Sequence, residues 1–304
     1  MSAAISNPNP ATTPASQASP ATPIAVGEPA PGSAALRRRQ LAAIIRMELK
    51  KGFFGKRAIG LWLLALAPPA VLSLRLFFTH GDSIRELFDL AQAQAIFAGG
   101  IYQAFLLRVI VFLGCVGIFG NLIRREVLDR TLHYYFLAPI RREVLVLGKY
   151  LTGLIVAGFL FGLSTAASFL LTFVPIPGSS RFLLQGPGLS HLFAYVATTL
   201  LACVGYGAIF LTLGFFFRSP AIPALLIFGW EGIHFLLPPL LKKASVIHYL
   251  QSLMPVPVSD GPLALLSDAP SKPVAVIGLL IFAGLLVALS AWRARGMEIK
   301  YEED

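Results

Sequence analysis

The chain has 304 residues, of which 56% are hydrophobic and 13% are charged, and its mean hydropathy is +0.73. A soluble domain has about 25% charged residues, so a soluble fold of this size could not cover its surface with so few, and the composition excludes an ordinary soluble enzyme. The net charge of +10 does not predict nucleic-acid binding, because the basic residues flank apolar blocks, as is usual in membrane proteins.

Residues 1–35 are rich in proline, alanine, serine and threonine, and Glu28 is their one charged residue. Such a segment cannot bury a hydrophobic core, so the sequence predicts a disordered tail. The tail also lacks the basic start and the apolar stretch of a secretory signal.

A helical pattern follows within residues 36–56. Apolar residues fall on one side of the helix and basic residues on the other: Leu41, Ile44, Ile45 and Leu49 against Arg39, Arg46 and Lys50. Glu48 interrupts the apolar stripe. A basic amphipathic helix ahead of a membrane span typically lies flat on the cytosolic surface, which predicts an interfacial helix here. A solvated basic flank is the alternative.

The region 57–295 contains six apolar blocks, each long enough to cross a bilayer, which needs roughly 20 apolar residues per helix. The predicted spans are 59–79, 96–121, 150–174, 189–216, 221–240 and 273–292. These blocks are too long and continuous for the alternating strands of a membrane barrel. The sequence therefore predicts an all-α integral membrane protein with six transmembrane helices.

The basic residues predict the orientation of these spans. Most of the 25 lysines and arginines lie before the first span, in the 121–149 loop or after the last span. Cytosolic loops carry such an excess. We therefore expect both termini, including the short tail 296–304, to be cytosolic, and the chain to lie in the inner membrane.

The 121–149 loop is amphipathic at the helical period. Its apolar face is Val127, Leu128, Thr131, Leu132 and Tyr135, and its polar face is Arg125, Glu126, Asp129, Arg130 and His133. A second short helix is predicted after Pro139, running into the third span. A rigid cytosolic helix held against the membrane base suits the transfer of force from a soluble partner to two spans.

This loop resembles the coupling-loop signature of type-2 ABC transporter permeases. The resemblance lies in Glu126, the pair Thr131-Leu132, Pro139, the pair Arg142-Glu143 and the pair Gly148-Lys149. Arg130 departs from the small residue that usually precedes the Thr-Leu pair. The layout of an N-terminal helix, six spans and a long outer segment matches as well, so the resemblance covers about residues 36–295.

The resemblance implies half of a transporter. A second permease chain, identical or different, would complete the pathway, and two separate ATPase subunits would bind ATP and Mg, so no cofactor, metal or catalytic site is expected on this chain. Consistently, Gly148-Lys149 is followed by Tyr150 where a phosphate-binding loop needs serine or threonine. The expected contacts with the ATPase are Glu126, Asp129, Arg130, Thr131, Leu132, Pro139, Arg142 and Glu143. Export of a substrate, and short re-entrant helices within the outer segment 241–272, are further implications; two interfacial helices without a gating role are the alternative there.

Two charges fall at similar depth inside the predicted spans, Arg108 in the second and Glu231 in the fifth. A lone charge at the bilayer centre costs roughly 2.5–3.5 kcal/mol on insertion scales, so we expect the two to pair, within one chain or across a dimer. Arg108 could instead snorkel or face a wet pathway.

Two other classes of function remain open from the sequence. One is a membrane anchor for a signalling or assembly complex. The other is an intramembrane enzyme, for which Glu231 and His234, one helical turn apart, are the best candidate pair.

Overall fold

The computed structural model describes most of the membrane domain. The described residues are 34–55, 58–78, 90–120, 122, 142–217, 219–234, 238–242, 245–258 and 270–295. Within them all regular structure is helical. Most of the predicted N-terminal tail, the C-terminal tail, most of the coupling loop and residues 259–269 of the outer segment lie outside the described residues.

Ten helices follow one another in this part of the chain. They are α1 (Ala34–Phe54), α2 (Ala58–Phe78), α3 (Leu90–Phe119), α4 (Arg142–Phe173), α5 (Ser179–Leu184), α6 (Gly188–Phe216), α7 (Ala221–Gly232), α8 (Pro239–Lys242), α9 (Val246–Gln251) and α10 (Lys272–Arg295). The middle of α3, Phe97–Val111, has π-helical hydrogen bonding. Such stretches are rare and often accompany functional sites.

Five of these helices are long and apolar enough to cross a membrane: α2, α3, α4, α6 and α10. The predicted fifth span, 221–240, is not one continuous helix. Helix α7 has 12 residues and ends at Gly232, which gives it a length of about 18 Å, short of the roughly 30 Å of a bilayer core. The break has a local cause, because Pro238 and Pro239 follow within a few residues and helices usually end ahead of proline. The count of six spans stays a prediction.

Close packing between α3, α4 and α6 forms the centre of the bundle, and Phe119 is the last residue of α3. The Phe119 ring contacts both Gly153 of α4 and Gly207 of α6: a Cβ atom at these glycines would lie 2.5 Å and 2.7 Å from the ring. No side chain fits there, so the two glycines let the helices close around the aromatic ring.

Helix α1 runs beside α4 and in the same direction. A Cβ atom at Gly148 would meet Ile44 at 2.9 Å, and one at Gly52 would meet Val156 at 2.8 Å. From the first contact to the second, the chain advances by eight residues in α1 and by eight residues in α4, so the two helices run in the same direction. Helix α4 has 32 residues, about 48 Å at 1.5 Å per residue, which exceeds the bilayer core by about 18 Å. If α4 spans the bilayer core, part of it therefore extends beyond the core. Helix α1 packs against the first half of α4.

The side chains of α1 follow the predicted division of faces. Ile44 is buried against α4, while Arg39, Arg46 and Lys50 are exposed. Helix α1 runs parallel to α4, whereas a helix lying flat on the membrane surface would cross a span at a steep angle. The interfacial placement of α1 stays a prediction. We call the end of the bundle formed by α1, the start of α4 and the end of α10 the basal face.

Candidate functional site at the basal face

The basal face holds the described part of the predicted coupling signature. Arg142 and Glu143 are the first two residues of α4. The other six predicted contact residues, Glu126, Asp129, Arg130, Thr131, Leu132 and Pro139, lie outside the described residues. Their contacts with a partner stay predictions.

Arg142 joins the start of α4 to the end of α10. Its guanidinium Nη1 donates hydrogen bonds to the carbonyl oxygen of Arg295 at 2.8 Å and to that of Ala294 at 3.2 Å. The last carbonyls of a helix have no acceptor role within the helix, and a positive side chain there also opposes the helix dipole. Arg142 therefore caps the C-terminus of α10 from a neighbouring helix.

Glu143 makes a second contact with the same helix end. Its carboxylate forms an ion pair with the Arg295 guanidinium at 2.6 Å, and both side chains are largely exposed to solvent. An exposed pair contributes about 0–1 kcal/mol. The pair therefore joins the start of α4 to the end of α10 but contributes little to the stability of the fold.

Three consecutive residues of α4, from Gly148 to Tyr150, contact α1, the turn after α3, and α6. Gly148 lies against Ile44 of α1. Lys149 reaches toward α1 and the end of α3, and Tyr150 donates a hydrogen bond to the carbonyl oxygen of Val204 in α6 at 2.9 Å. The Gly-Lys pair of the signature is thus a packing position followed by a polar one.

Lys149 is almost fully buried, with 1% of its side chain exposed. Its Nζ lies 3.6 Å from Oε1 of Glu48, whose side chain is 9% exposed, and donates to the carbonyl oxygen of Leu122 at 3.5 Å. Lys51 approaches the same Glu48 oxygen at 3.4 Å from the solvent side. Glu48, which interrupts the apolar stripe of α1, is therefore the partner of a buried lysine.

Sequence reasoning did not find the contact between Glu48 and Lys149. The available signal was a single acidic residue inside an apolar stripe, together with a lysine at the start of an apolar block. Nothing in the local pattern places those two positions side by side, since they are far apart in the chain.

The second group of predicted residues lies farther from the basal face, around Glu231. The Glu231 carboxylate is buried and accepts three hydrogen bonds from the start of α9: from the Ser245 hydroxyl at 2.6 Å, the Val246 amide at 2.9 Å and the Ile247 amide at 3.4 Å. Side-chain acceptors satisfy the first amides of a helix in this way. Glu231 thus joins the end of α7 to the beginning of α9.

Helix α9 lies within the bundle. Val246 meets Gly205 in the middle of α6, and Tyr249 meets Gly278 of α10. His248 of α9 is buried, and its ring centroid lies 6.1 Å from that of His234. Helix α9 therefore packs among the long helices rather than outside them.

The predicted pair between Arg108 and Glu231 is not a direct contact within the chain. Both residues are described, and no ion pair joins them; the charge of Arg108 acts on the Glu231 carboxylate only from a greater distance. The carboxylate instead finds its donors in α9. Pairing across two chains stays a prediction.

A family described as ABC-2 family transporter protein matches residues 44–229, which is more than half of the chain. The chain belongs to the ABC-2 transporter family. It is thus a transmembrane permease rather than a catalytic subunit, and ABC-2 permeases typically work with ATPase subunits. The match begins within α1 and ends within α7, so it includes both Glu48 and Lys149.

No curated protein and no solved structure shows significant similarity to this ABC-2 permease.

Proposed function

We propose that this ABC-2 permease is the membrane subunit of an ATP-driven exporter in the inner membrane. Two separate ATPase subunits bind ATP and Mg, and a second permease chain completes the transport pathway. Both termini face the cytosol, where the ATPase subunits bind. The predicted coupling loop, 121–149, is the element that these subunits engage, and we call its central part, residues 123–141, the coupling segment.

The anchoring of this segment at both ends carries the proposal. On its N-terminal side, the carbonyl of Leu122 is bound by Lys149. On its C-terminal side, Arg142 and Glu143 are bound to the end of α10. A segment joined to three helices at its ends can pass a displacement to them, whereas a segment attached only by flexible linkers could not.

The charge pattern within the segment supports the same role. On the helix predicted from the sequence, the polar face carries Glu126, Asp129 and Arg130, and the apolar face carries Leu132. The polar face is suited to a soluble partner, and the apolar face to the membrane base. This division predicts that the two faces fail in different ways when mutated.

The experiment is a comparison of two variants reconstituted with the ATPase that co-purifies with the wild-type chain. Glu126→Lys combined with Asp129→Lys should keep expression and dimer formation, because surface charges contribute little to stability. It should lower ATPase co-purification and the stimulation of ATP hydrolysis by the permease. Leu132→Asp should retain some ATPase binding but lose that stimulation.

The matched control is Lys50→Glu, an exposed charge reversal on α1. If the double charge reversal leaves ATPase binding and stimulation at the wild-type level, residues 123–141 are not the coupling element. If no ATPase binds the wild-type chain, the exporter proposal itself fails.

A further inference from the structure

The side chain of Lys149 contacts both α1 and Leu122, which lies just after α3 at the start of the coupling segment. Its ammonium group lies 3.6 Å from the Glu48 carboxylate of α1 and donates to the Leu122 carbonyl at 3.5 Å. Lys149 itself belongs to the helix into which the coupling segment continues. One buried group therefore links the two ends of that segment to the N-terminal helix.

The environment of this group opposes its separation from Glu48. Lys149 has 1% of its side chain exposed, and Glu48 has 9%. Separating the two would move the buried Lys149 ammonium group away from a carboxylate partner, which is unfavourable at a position that solvent hardly reaches. Movements that keep the two charges together are consequently favoured over movements that part them.

Close packing extends the link on either side of the ion pair. A Cβ atom at Gly148 would meet Ile44 at 2.9 Å, and a Cβ atom at Gly52 would meet Val156 at 2.8 Å. The backbones of α1 and α4 thus approach closely before and after the charged contact. This arrangement resists sliding of α1 along α4.

We propose that Lys149 is a positioning residue that makes α1 move as one body with the ends of the coupling segment. The inference rests on the proposed function, in which the ATPase displaces that segment. It adds that the displacement reaches α1 through the contact between Lys149 and Glu48. The Arg142 and Glu143 contacts with α10 form a separate connection, on the surface of the protein.

The test uses Lys149→Met, which keeps the length of the side chain and removes its charge. The matched control is Lys51→Met, because Lys51 approaches the same Glu48 oxygen but has 61% of its side chain exposed. Glu48→Gln attacks the contact from α1, and Lys149→Arg restores the positive charge. Each variant is reconstituted in nanodiscs with the ATPase that co-purifies with the wild-type chain.

The measurement is hydrogen–deuterium exchange of peptides covering α1 and the start of α4, with and without ATP and vanadate. In the wild type, exchange should change in both helices when vanadate traps the ATPase. In Lys149→Met and in Glu48→Gln, the start of α4 should still respond while the response of α1 is lost. Lys51→Met should match the wild type, and Lys149→Arg should recover the α1 response. A role in folding alone would lower protection without altering which helix responds to nucleotide.

The two proposals fail in different ways. A wild-type complex in which neither helix responds to vanadate would refute the exporter mechanism. If the exchange of α1 in Lys149→Met responds to vanadate as in the wild type, the positioning role of Lys149 is refuted and the exporter mechanism is left intact. If Lys149→Met does not fold, the same result in Glu48→Gln refutes it.

Discussion

Glu231 offers the sharpest test of how the segment after α7 is held in the bundle. Its carboxylate accepts hydrogen bonds from the Ser245 hydroxyl and from the amides of Val246 and Ile247. Glu231→Leu keeps a similar volume and removes every acceptor. The two amides are then left without their acceptor at a buried position, and a buried unsatisfied donor costs about 1–3 kcal/mol. We expect Glu231→Leu to lower the free energy of unfolding by about 2–6 kcal/mol on this basis.

Glu231→Gln should be milder. Its carbonyl oxygen can still accept from the Val246 amide, and its amide group can donate to the Ser245 hydroxyl oxygen, which also accepts hydrogen bonds. Only the longest contact, with Ile247 at 3.4 Å, is lost. We expect a loss of about 1–3 kcal/mol, because one buried amide, that of Ile247, is left without its acceptor.

Chemical unfolding of the purified protein in detergent, with hydrogen exchange at α9, measures both effects. Ser245→Ala is the control, because it removes one donor without leaving an amide unsatisfied, and it should cost about 0.5–1.5 kcal/mol. If Glu231→Gln proves as damaging as Glu231→Leu, the carboxylate is needed for its charge and the hydrogen-bonding account is wrong.

Adding Arg108→Gln to Glu231→Gln separates this account from the ion pair expected from the sequence. Residues without direct contact give effects that add to within about 0.3–0.5 kcal/mol. The contacts within the chain therefore predict nearly additive losses. Recovery of part of the loss in the double variant would show that the two charges interact, either across a dimer or at longer range within the chain.

Three further predictions address the topology and the packing. A reporter fused after Asp304 should be active in the cytosol, and a signal specific to the periplasm would overturn the proposed orientation. Gly153→Ala should destabilise the protein by about 1–3 kcal/mol through overpacking against the Phe119 ring. Gly60→Ala is the control, because a Cβ atom there meets nothing within 4 Å, and it should be neutral or stabilising by up to about 1 kcal/mol. Equal melting temperatures for these two variants would refute the packing argument. Arg142→Met should speed hydrogen exchange at the end of α10, and Glu143→Gln should change stability by less than about 1 kcal/mol; an unchanged α10 in Arg142→Met would show that the capping contact is absent.

The sequence by itself determined the class of protein and its family. Long apolar blocks with few charges leave a helical membrane protein as the one reasonable solution, because lipid cannot satisfy exposed backbone groups. The order of residues from Glu126 to Lys149, together with the layout of the N-terminal helix and the spans, identified the resemblance to type-2 ABC permeases. Both inferences depend on residues close together in the chain, where composition and spacing are informative.

Only the tertiary structure decided the partners of individual charged residues. In the sequence, Glu48 interrupts the apolar stripe of α1 without an evident reason. The structure places it beside the buried Lys149, which is its partner. The sequence suggested Arg108 as the partner of Glu231, yet the start of α9 supplies the hydrogen-bond donors instead, and helix α7 ends one residue after Glu231. Depth and sign of charge narrow the choice of partners, but hydrogen bonding requires approach to within about 3 Å, and that proximity arises from the packing of helices distant in sequence.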